Sequence, residues 1–85
     1  MEVEFALEAK NDLAFWKRTN NVIVLKRIRK VIESISATPF EGIGKPELLK
    51  HNLAGCWSRR INQEHRVVYE VKATKIFILS LKGHY

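Results

Sequence analysis

The sequence predicts an α+β fold, in which two N-terminal helices pack on one face of a small, mainly antiparallel β-sheet. Three observations indicate this fold: alternating polar and apolar residues at the start, two amphipathic helical patterns after it, and three strand-like segments joined by short turns. The expected order of elements is β-α-α-β-β-β. The 85 residues correspond to one domain, 1–85, with a small hydrophobic core.

The N-terminal half contains the first strand and both helices. Alternation over residues 2–7 predicts a strand with one polar face, and apolar residues at spacings of three and four then predict a helix from about Glu8 to Arg18. Thr19-Asn20-Asn21 ends this helix and offers side chains that can cap the next one. The second helix is expected from about Asn20 to Ser36. It ends at Thr38-Pro39, because the residue before a proline disfavours the α conformation.

The C-terminal half contains a long connection and three strands. Residues 39–55 are punctuated by glycine and proline, and 46–53 has room for one short helical turn. The strands are expected at Cys56–Ile61, Arg66–Val71 and Lys75–Leu81. Connections this short imply antiparallel hairpins, and the last strand should be central because it is apolar on both faces. Helices on one face leave the other face open for a ligand.

Charge is distributed unevenly along the chain. Of the net charge of +6, residues 1–44 contribute little, with seven Lys or Arg against six Asp or Glu. Residues 45–85 carry eight Lys or Arg against three Glu. A basic half of this kind favours nucleic acid or another polyanion as a partner. A solvated surface that only aids solubility would show the same excess of Lys and Arg over Glu.

Several classes of protein are disfavoured. The acidic start, Met1 to Glu4, is unlike a signal peptide, and the longest strongly apolar run, Ile76 to Leu79, is far too short to cross a membrane. Cys56, the one cysteine, cannot form an internal disulfide. We therefore expect a cytoplasmic protein that does not associate with a membrane.

Strand alternation identifies one basic residue for the open face. If Val67 and Tyr69 face the core, Arg66 faces the other way, where a guanidinium can hold a phosphate. Arg59 and Arg60 are neighbours on one strand, so only one of them can share that face. The sequence alone does not decide which one does.

The residue types in the C-terminal half suit metal-free cleavage of RNA. A base must take the 2′-hydroxyl proton, cations must stabilise the phosphorane, and an acid must protonate the departing 5′-oxygen. This half offers Glu, His, Arg and Lys but no Asp, whereas a two-metal nuclease needs clustered carboxylates. We expect no metal and no cofactor. Scattered Glu, His and Arg occur in most proteins, so composition alone is weak support.

Several linked motifs resemble those of the YoeB toxins, which belong to the RelE-type bacterial toxin–antitoxin systems. The resemblance runs in unbroken order through residues 38–85 and rests on these segments: Thr38-Pro39-Phe40-Glu41-Gly42, Gly44 to Leu53, Gly55, Trp57 to Ile61, Glu64 to Tyr69, and His84-Tyr85. The N-terminal half matches in length and helix pattern only. The resemblance implies a fold similar to that of microbial ribonucleases and an enzyme that cleaves messenger RNA in the ribosomal A site.

The resemblance also implies a role for each candidate residue. Glu47 would be the general base, His84 the general acid, and Arg66 would stabilise the phosphorane. Tyr85 would position the scissile nucleotide. Lys50 and Arg60 would bind the phosphate or the flanking RNA. Apart from the resemblance, Arg59 and Lys82 are further expected RNA- or phosphate-binding residues. The products would be a 2′,3′-cyclic phosphate and a 5′-hydroxyl.

The resemblance further implies an acidic, YefM-like antitoxin, together with the ribosome and messenger RNA as partners. The sequence leaves the choice between monomer and homodimer open. Two other functions also stay open: a basic RNA- or ribosome-binding module without catalysis, and a toxin that poisons another target, such as a DNA topoisomerase. His51 and His65 are expected to be structural, and Trp57 is expected in the core. Judged apart from the resemblance, His84 and Tyr85 would be a frayed tail.

Overall fold

Two helices pack on one face of a five-stranded mixed sheet in the computed structural model, which describes residues 1–83. The expectations for His84 and Tyr85 therefore lie outside the described residues. The elements, in chain order, are β1 (Glu2–Phe5), α1 (Leu7–Arg18), α2 (Val22–Ala37), β2 (Glu47–Leu48), a 3₁₀ turn (His51–Leu53), β3 (Trp57–Arg60), β4 (Arg66–Lys72) and β5 (Lys75–Ser80). The predicted fold class is confirmed.

Sheet order is β1-β5-β4-β3-β2. The three C-terminal strands form the predicted antiparallel hairpins, while β1 joins β5 in parallel. Strand β5 is therefore internal, as its apolar sequence predicts. The one element that the sequence did not predict as a strand is β2, whose two residues lie in the long connection and extend the edge beside β3.

Helix α2 begins and ends where its flanking residues predict. The Asn21 side chain accepts a hydrogen bond from the Val24 amide at 3.1 Å, which caps the first turn. The helix ends at Ala37, two residues before Pro39. The short helical turn expected in the connection is present as the 3₁₀ turn.

The hydrophobic core lies between the two helices and one face of the sheet. It joins the apolar stripes of both helices to alternate residues of β4 and β5, and its buried members are Ala9, Trp16, Val24, Ile28, Val31, Ile35, Ile61, Val67, Tyr69, Ile76, Ile78 and Leu81. Trp57 packs against this core and against the Phe40 ring, with centroids 5.2 Å apart. Within residues 1–83, neither helix is long and apolar enough to cross a membrane.

Candidate active site

The candidate site lies on the sheet face opposite the helices, where β2, β3 and β4 adjoin. Ser58 of β3 is paired with Glu47 on one side and with Val68 on the other, and Arg60 is paired with Arg66. Directly paired residues in an antiparallel sheet point to the same face. The register therefore brings Glu47, Ser58, Arg60 and Arg66 to one surface.

Glu47 and Arg66 are in contact at the centre of this surface. The Arg66 Nη1 atom lies 3.4 Å from the Glu47 Oε1 atom and 3.4 Å from the Ser58 Oγ atom. The side chain of Arg66 is 18% exposed, whereas that of Glu47 is 59% exposed. Both contacts are at the long end for hydrogen bonds. The carboxylate is thus held beside a guanidinium while most of it still faces solvent.

Backbone contacts of β3 fix the segment that carries Glu47. The Arg60 amide donates to the Gly44 carbonyl at 2.6 Å, and the Leu49 amide donates to the Cys56 carbonyl at 2.9 Å. Gly44 has φ +85°, and a Cβ atom there would lie 3.0 Å from the Arg60 carbonyl oxygen. A side chain at this position would push the loop away from β3. The close approach of the Gly44 backbone to β3 therefore helps to position Glu47.

Arg59 is not part of this surface, which disagrees with its expected role in binding RNA. The residue is fully buried on the core face of the sheet, where it is paired with Val67. Its guanidinium donates hydrogen bonds to five acceptors: the Tyr69 hydroxyl, the Ser34 hydroxyl, and the carbonyl oxygens of Ile43, Thr38 and Glu41. Arg59 thus joins β3 and β4 to α2 and to the following loop. Arg60 is the member of the pair that lies on the open face.

The two lysines of the expected site lie in different places. Lys50 is exposed and directly precedes the 3₁₀ turn, two residues after β2. Lys82 is also exposed, but its ammonium lies 4.3 Å from the centre of the Phe15 ring. Phe15 belongs to α1, which packs on the other face of the sheet. The structure therefore places Lys82 with the helix and not beside Glu47 and Arg66.

The described chain ends close to Arg66. The Arg66 amide donates to the Gly83 carbonyl at 2.9 Å, and the Gly83 amide donates to His65 Nδ1 at 2.9 Å. His84 follows Gly83 directly in the sequence. The position from which the chain continues is thus fixed beside the site.

Sequence reasoning did not include Ser58, which contacts Arg66, or His65, which contacts Gly83, among the candidate site residues. Strand parity could have identified Ser58, because it shares a face with Arg60 in the same strand. No comparable pattern marks His65, whose contact with Gly83 joins residues 18 positions apart. Across residues 1–83, no three His, Cys, Asp or Glu side chains are grouped as they would be around a metal ion.

Among the described residues, burial is the main cause of a raised pKa at two titratable groups, Tyr69 and Cys56. Burial raises the pKa of the Tyr69 hydroxyl, and the hydrogen bond and charge of Arg59 oppose that rise. Burial, followed by the charge of Glu70, raises the pKa of the Cys56 thiol, against a smaller effect of Lys72. A thiol held in its protonated form is a poor nucleophile. Cys56 therefore fits packing better than catalysis.

Comparison with known proteins identifies relatives along the whole chain. A family model described as a YoeB-like toxin of bacterial type II toxin–antitoxin systems matches residues 5–85. Toxin YoeB of Escherichia coli strain K12 is 46% identical over 85 residues, which covers both proteins completely.

Solved structures show the same similarity. A YoeB/ParE toxin from Agrobacterium tumefaciens superposes with a TM-score of 0.93 at 39% identity, over the full length of both chains. YoeB of Staphylococcus aureus is solved in complex with YefM and as a dimer, with TM-scores of 0.89 and 0.90 at 44% and 43% identity. Each match covers 100% of this chain and 98% of that one. The chain belongs to the YoeB-like family of toxins of bacterial type II toxin–antitoxin systems.

Proposed function

We propose that this toxin is an endoribonuclease that cleaves messenger RNA in the ribosomal A site, without a metal ion in the chemical step. The observation that carries the proposal is the contact between Glu47 and Arg66. They are 19 positions apart in the sequence, yet the register of β2, β3 and β4 brings them together on the open face. A carboxylate beside a guanidinium supplies a base and a phosphate-binding cation at one point.

Each group has a defined part in the reaction. The Glu47 carboxylate takes the proton of the 2′-hydroxyl, and the 2′-oxygen attacks the adjacent phosphorus. Arg66 stabilises the charge that develops on the phosphorane oxygens, from a position fixed by Glu47 and Ser58. The 5′-oxygen leaves with a proton from His84, and a 2′,3′-cyclic phosphate remains.

The assignment of His84 as the acid rests on the sequence resemblance and on chemistry. An imidazole can hold and release a proton near neutral pH. The hydrogen bonds of Gly83 support the assignment, because they hold Gly83, the residue directly before His84, at the backbone of Arg66. We assign Tyr85 to positioning the scissile nucleotide on the same grounds. Lys50 and Arg60 would hold the RNA backbone, since both are exposed near β2 or on the open face.

The proposal includes partners and location. A basic C-terminal half suits an acidic antitoxin similar to YefM, and the solved YoeB–YefM complex supports such a partner. The S. aureus dimer supports self-association as well. We further propose the ribosome and messenger RNA as partners, and the cytoplasm, where both occur, as the location.

A comparison of two charge-neutralising variants tests the site. Glu47→Gln removes the base but keeps the shape of the side chain. Glu33→Gln removes the same charge from α2, on the opposite face of the sheet. We expect Glu47→Gln to slow single-turnover cleavage on ribosomes by roughly a hundredfold or more, and Glu33→Gln to cleave at the parental rate. Equal rates for all three proteins would contradict the role of Glu47. A parent that binds ribosomes without cutting would instead favour the non-catalytic binding module.

A further inference from the structure

The segment that leaves β5 is attached to α1 through both polar backbone groups of Leu81. Its amide donates to Asp12 Oδ2 at 2.9 Å, and its carbonyl accepts from Trp16 Nε1 at 2.9 Å. Terminal segments beyond a strand usually fray unless they are tied down. Here two side chains of α1 fix the path of the chain directly after Ser80.

Gly83 is held by His65, which directly precedes β4, and by Arg66, the first residue of that strand. Its amide donates to His65 Nδ1, and its carbonyl accepts from the Arg66 amide, each at 2.9 Å. Its φ of +87° lies in the left-handed region that glycine adopts at little cost. The chain therefore turns at Gly83 while both of its backbone polar groups are occupied.

The His65 ring is itself fixed in place. It packs edge-to-face on Trp16, with centroids 4.8 Å apart and planes at 76°. Trp16 in turn holds Leu81, so one indole supports both ends of the segment from Leu81 to Gly83. The Nδ1 atom of this ring accepts the hydrogen bond from the Gly83 amide.

We propose that His65 is a positioning residue for the cleavage reaction. Its Nδ1 atom holds the Gly83 amide and so fixes the residue directly before His84, which we assign as the acid. This inference rests on the proposed function, because it concerns the same site. A misplacement of about 1 Å in a reacting group can cost about a hundredfold in rate, so the contact at Gly83 has a measurable consequence.

Two substitutions of His65 separate the effect of its hydrogen-bond acceptor from the effect of its bulk against Trp16. His65→Asn places an amide oxygen close to the position of Nδ1 and keeps an acceptor for the Gly83 amide. His65→Leu removes the acceptor and keeps apolar bulk against Trp16. We expect the Leu variant to cleave messenger RNA about a hundredfold more slowly in single turnover on saturating ribosomes. The Asn variant should retain most of the parental rate, and melting curves should show both variants folded at the assay temperature.

Hydrogen exchange provides a readout that does not depend on activity. In the Leu variant, the Gly83 amide should exchange faster than in the parent, while the amide of Ile76 within β5 keeps its protection. If His65→Leu does not fold, His65→Gln takes its place, since its acceptor lies one methylene further from the backbone. The same loss of rate and of Gly83 protection is then expected.

The outcomes distinguish this inference from the proposed function. A parent that cleaves and a folded Leu variant that cleaves equally fast would overturn the role of His65 and leave the proposed function intact. Unchanged exchange at Gly83 in that variant would overturn it as well. A parent that does not cleave at all would refute the proposed function, and the role of His65 with it.

Discussion

Replacing Arg59 by Met should destabilise the fold without removing a contact to RNA. The guanidinium is fully buried and donates to five acceptors within the protein. Methionine fills a similar volume but donates nothing, so all five acceptors lose a partner. The Tyr69 hydroxyl still donates to the Pro39 carbonyl at 2.7 Å, but the bridge between the sheet, α2 and the loop is lost.

The size of the effect follows from the acceptors that remain buried. A buried acceptor without a partner costs about 1–3 kcal/mol. Thr38, Glu41 and Ile43 are exposed residues whose carbonyls can be hydrated, which leaves mainly the hydroxyls of Tyr69 and Ser34. We therefore expect a loss of roughly 2–5 kcal/mol in the free energy of unfolding. For a domain of this size the melting temperature should fall by about 8 °C or more.

Arg60 provides a matched control on the same strand. Arg60→Met removes the same charge from an exposed side chain and should change the free energy of unfolding by less than about 0.5 kcal/mol. Urea unfolding of both variants measures the difference, and ribosome binding is measured on the same samples. An Arg59→Met protein that melts like the parent but binds ribosomes weakly would refute the reasoning and restore Arg59 as an RNA ligand.

Three further predictions concern the site, the chain end and alkaline pH. Arg66→Ala should cut at least about a hundredfold more slowly in single turnover yet still bind ribosomes; a bound variant that cuts normally would exclude this role. A chain that ends at Gly83 should melt within a few degrees of the parent but should not cleave, and near-parental cleavage would remove His84 and Tyr85 from the mechanism. Because burial raises the pKa of Tyr69 and of Cys56, the folded state keeps protons that the unfolded chain loses. The contribution of these two groups to the free energy of unfolding should therefore be fully present below about pH 8, and it should be lost as the pH rises through about 9–10. A free energy of unfolding that does not change over this pH range in urea titrations would contradict this.

Local patterns in the sequence were sufficient for most of the fold. Helix periodicity, the Asn21 cap and the Thr38-Pro39 stop each depend on neighbouring residues, and the structure confirms both helices within two residues of the predicted ends. Strand alternation likewise placed Val67 and Tyr69 in the core. The two-residue strand β2 was missed because it is too short to show any period and acquires its structure by pairing with β3.

The candidate site depended on register, which the sequence did not determine. Alternation showed that Arg59 and Arg60 point to opposite faces, but the choice between them depends on which residue of β4 each one meets. Pairing of Arg60 with Arg66 resolves that choice. The contact of His65 with Gly83 could not be predicted either, because it depends on where a turn and a distant segment meet in space. Long-range contacts of this kind produce no periodic pattern in the sequence.

The ends of the cleaved message test the central claim most directly. Purified toxin, ribosomes and a defined messenger RNA are mixed for a single turnover, and the chemistry of both new ends is determined. Attack by the 2′-oxygen, with Glu47 as base, predicts a 2′,3′-cyclic phosphate and a 5′-hydroxyl from the parent, and a much lower yield of the same ends from Glu47→Gln. A 3′-hydroxyl with a 5′-phosphate would contradict the account, because those ends require attack by water and not by the neighbouring 2′-oxygen.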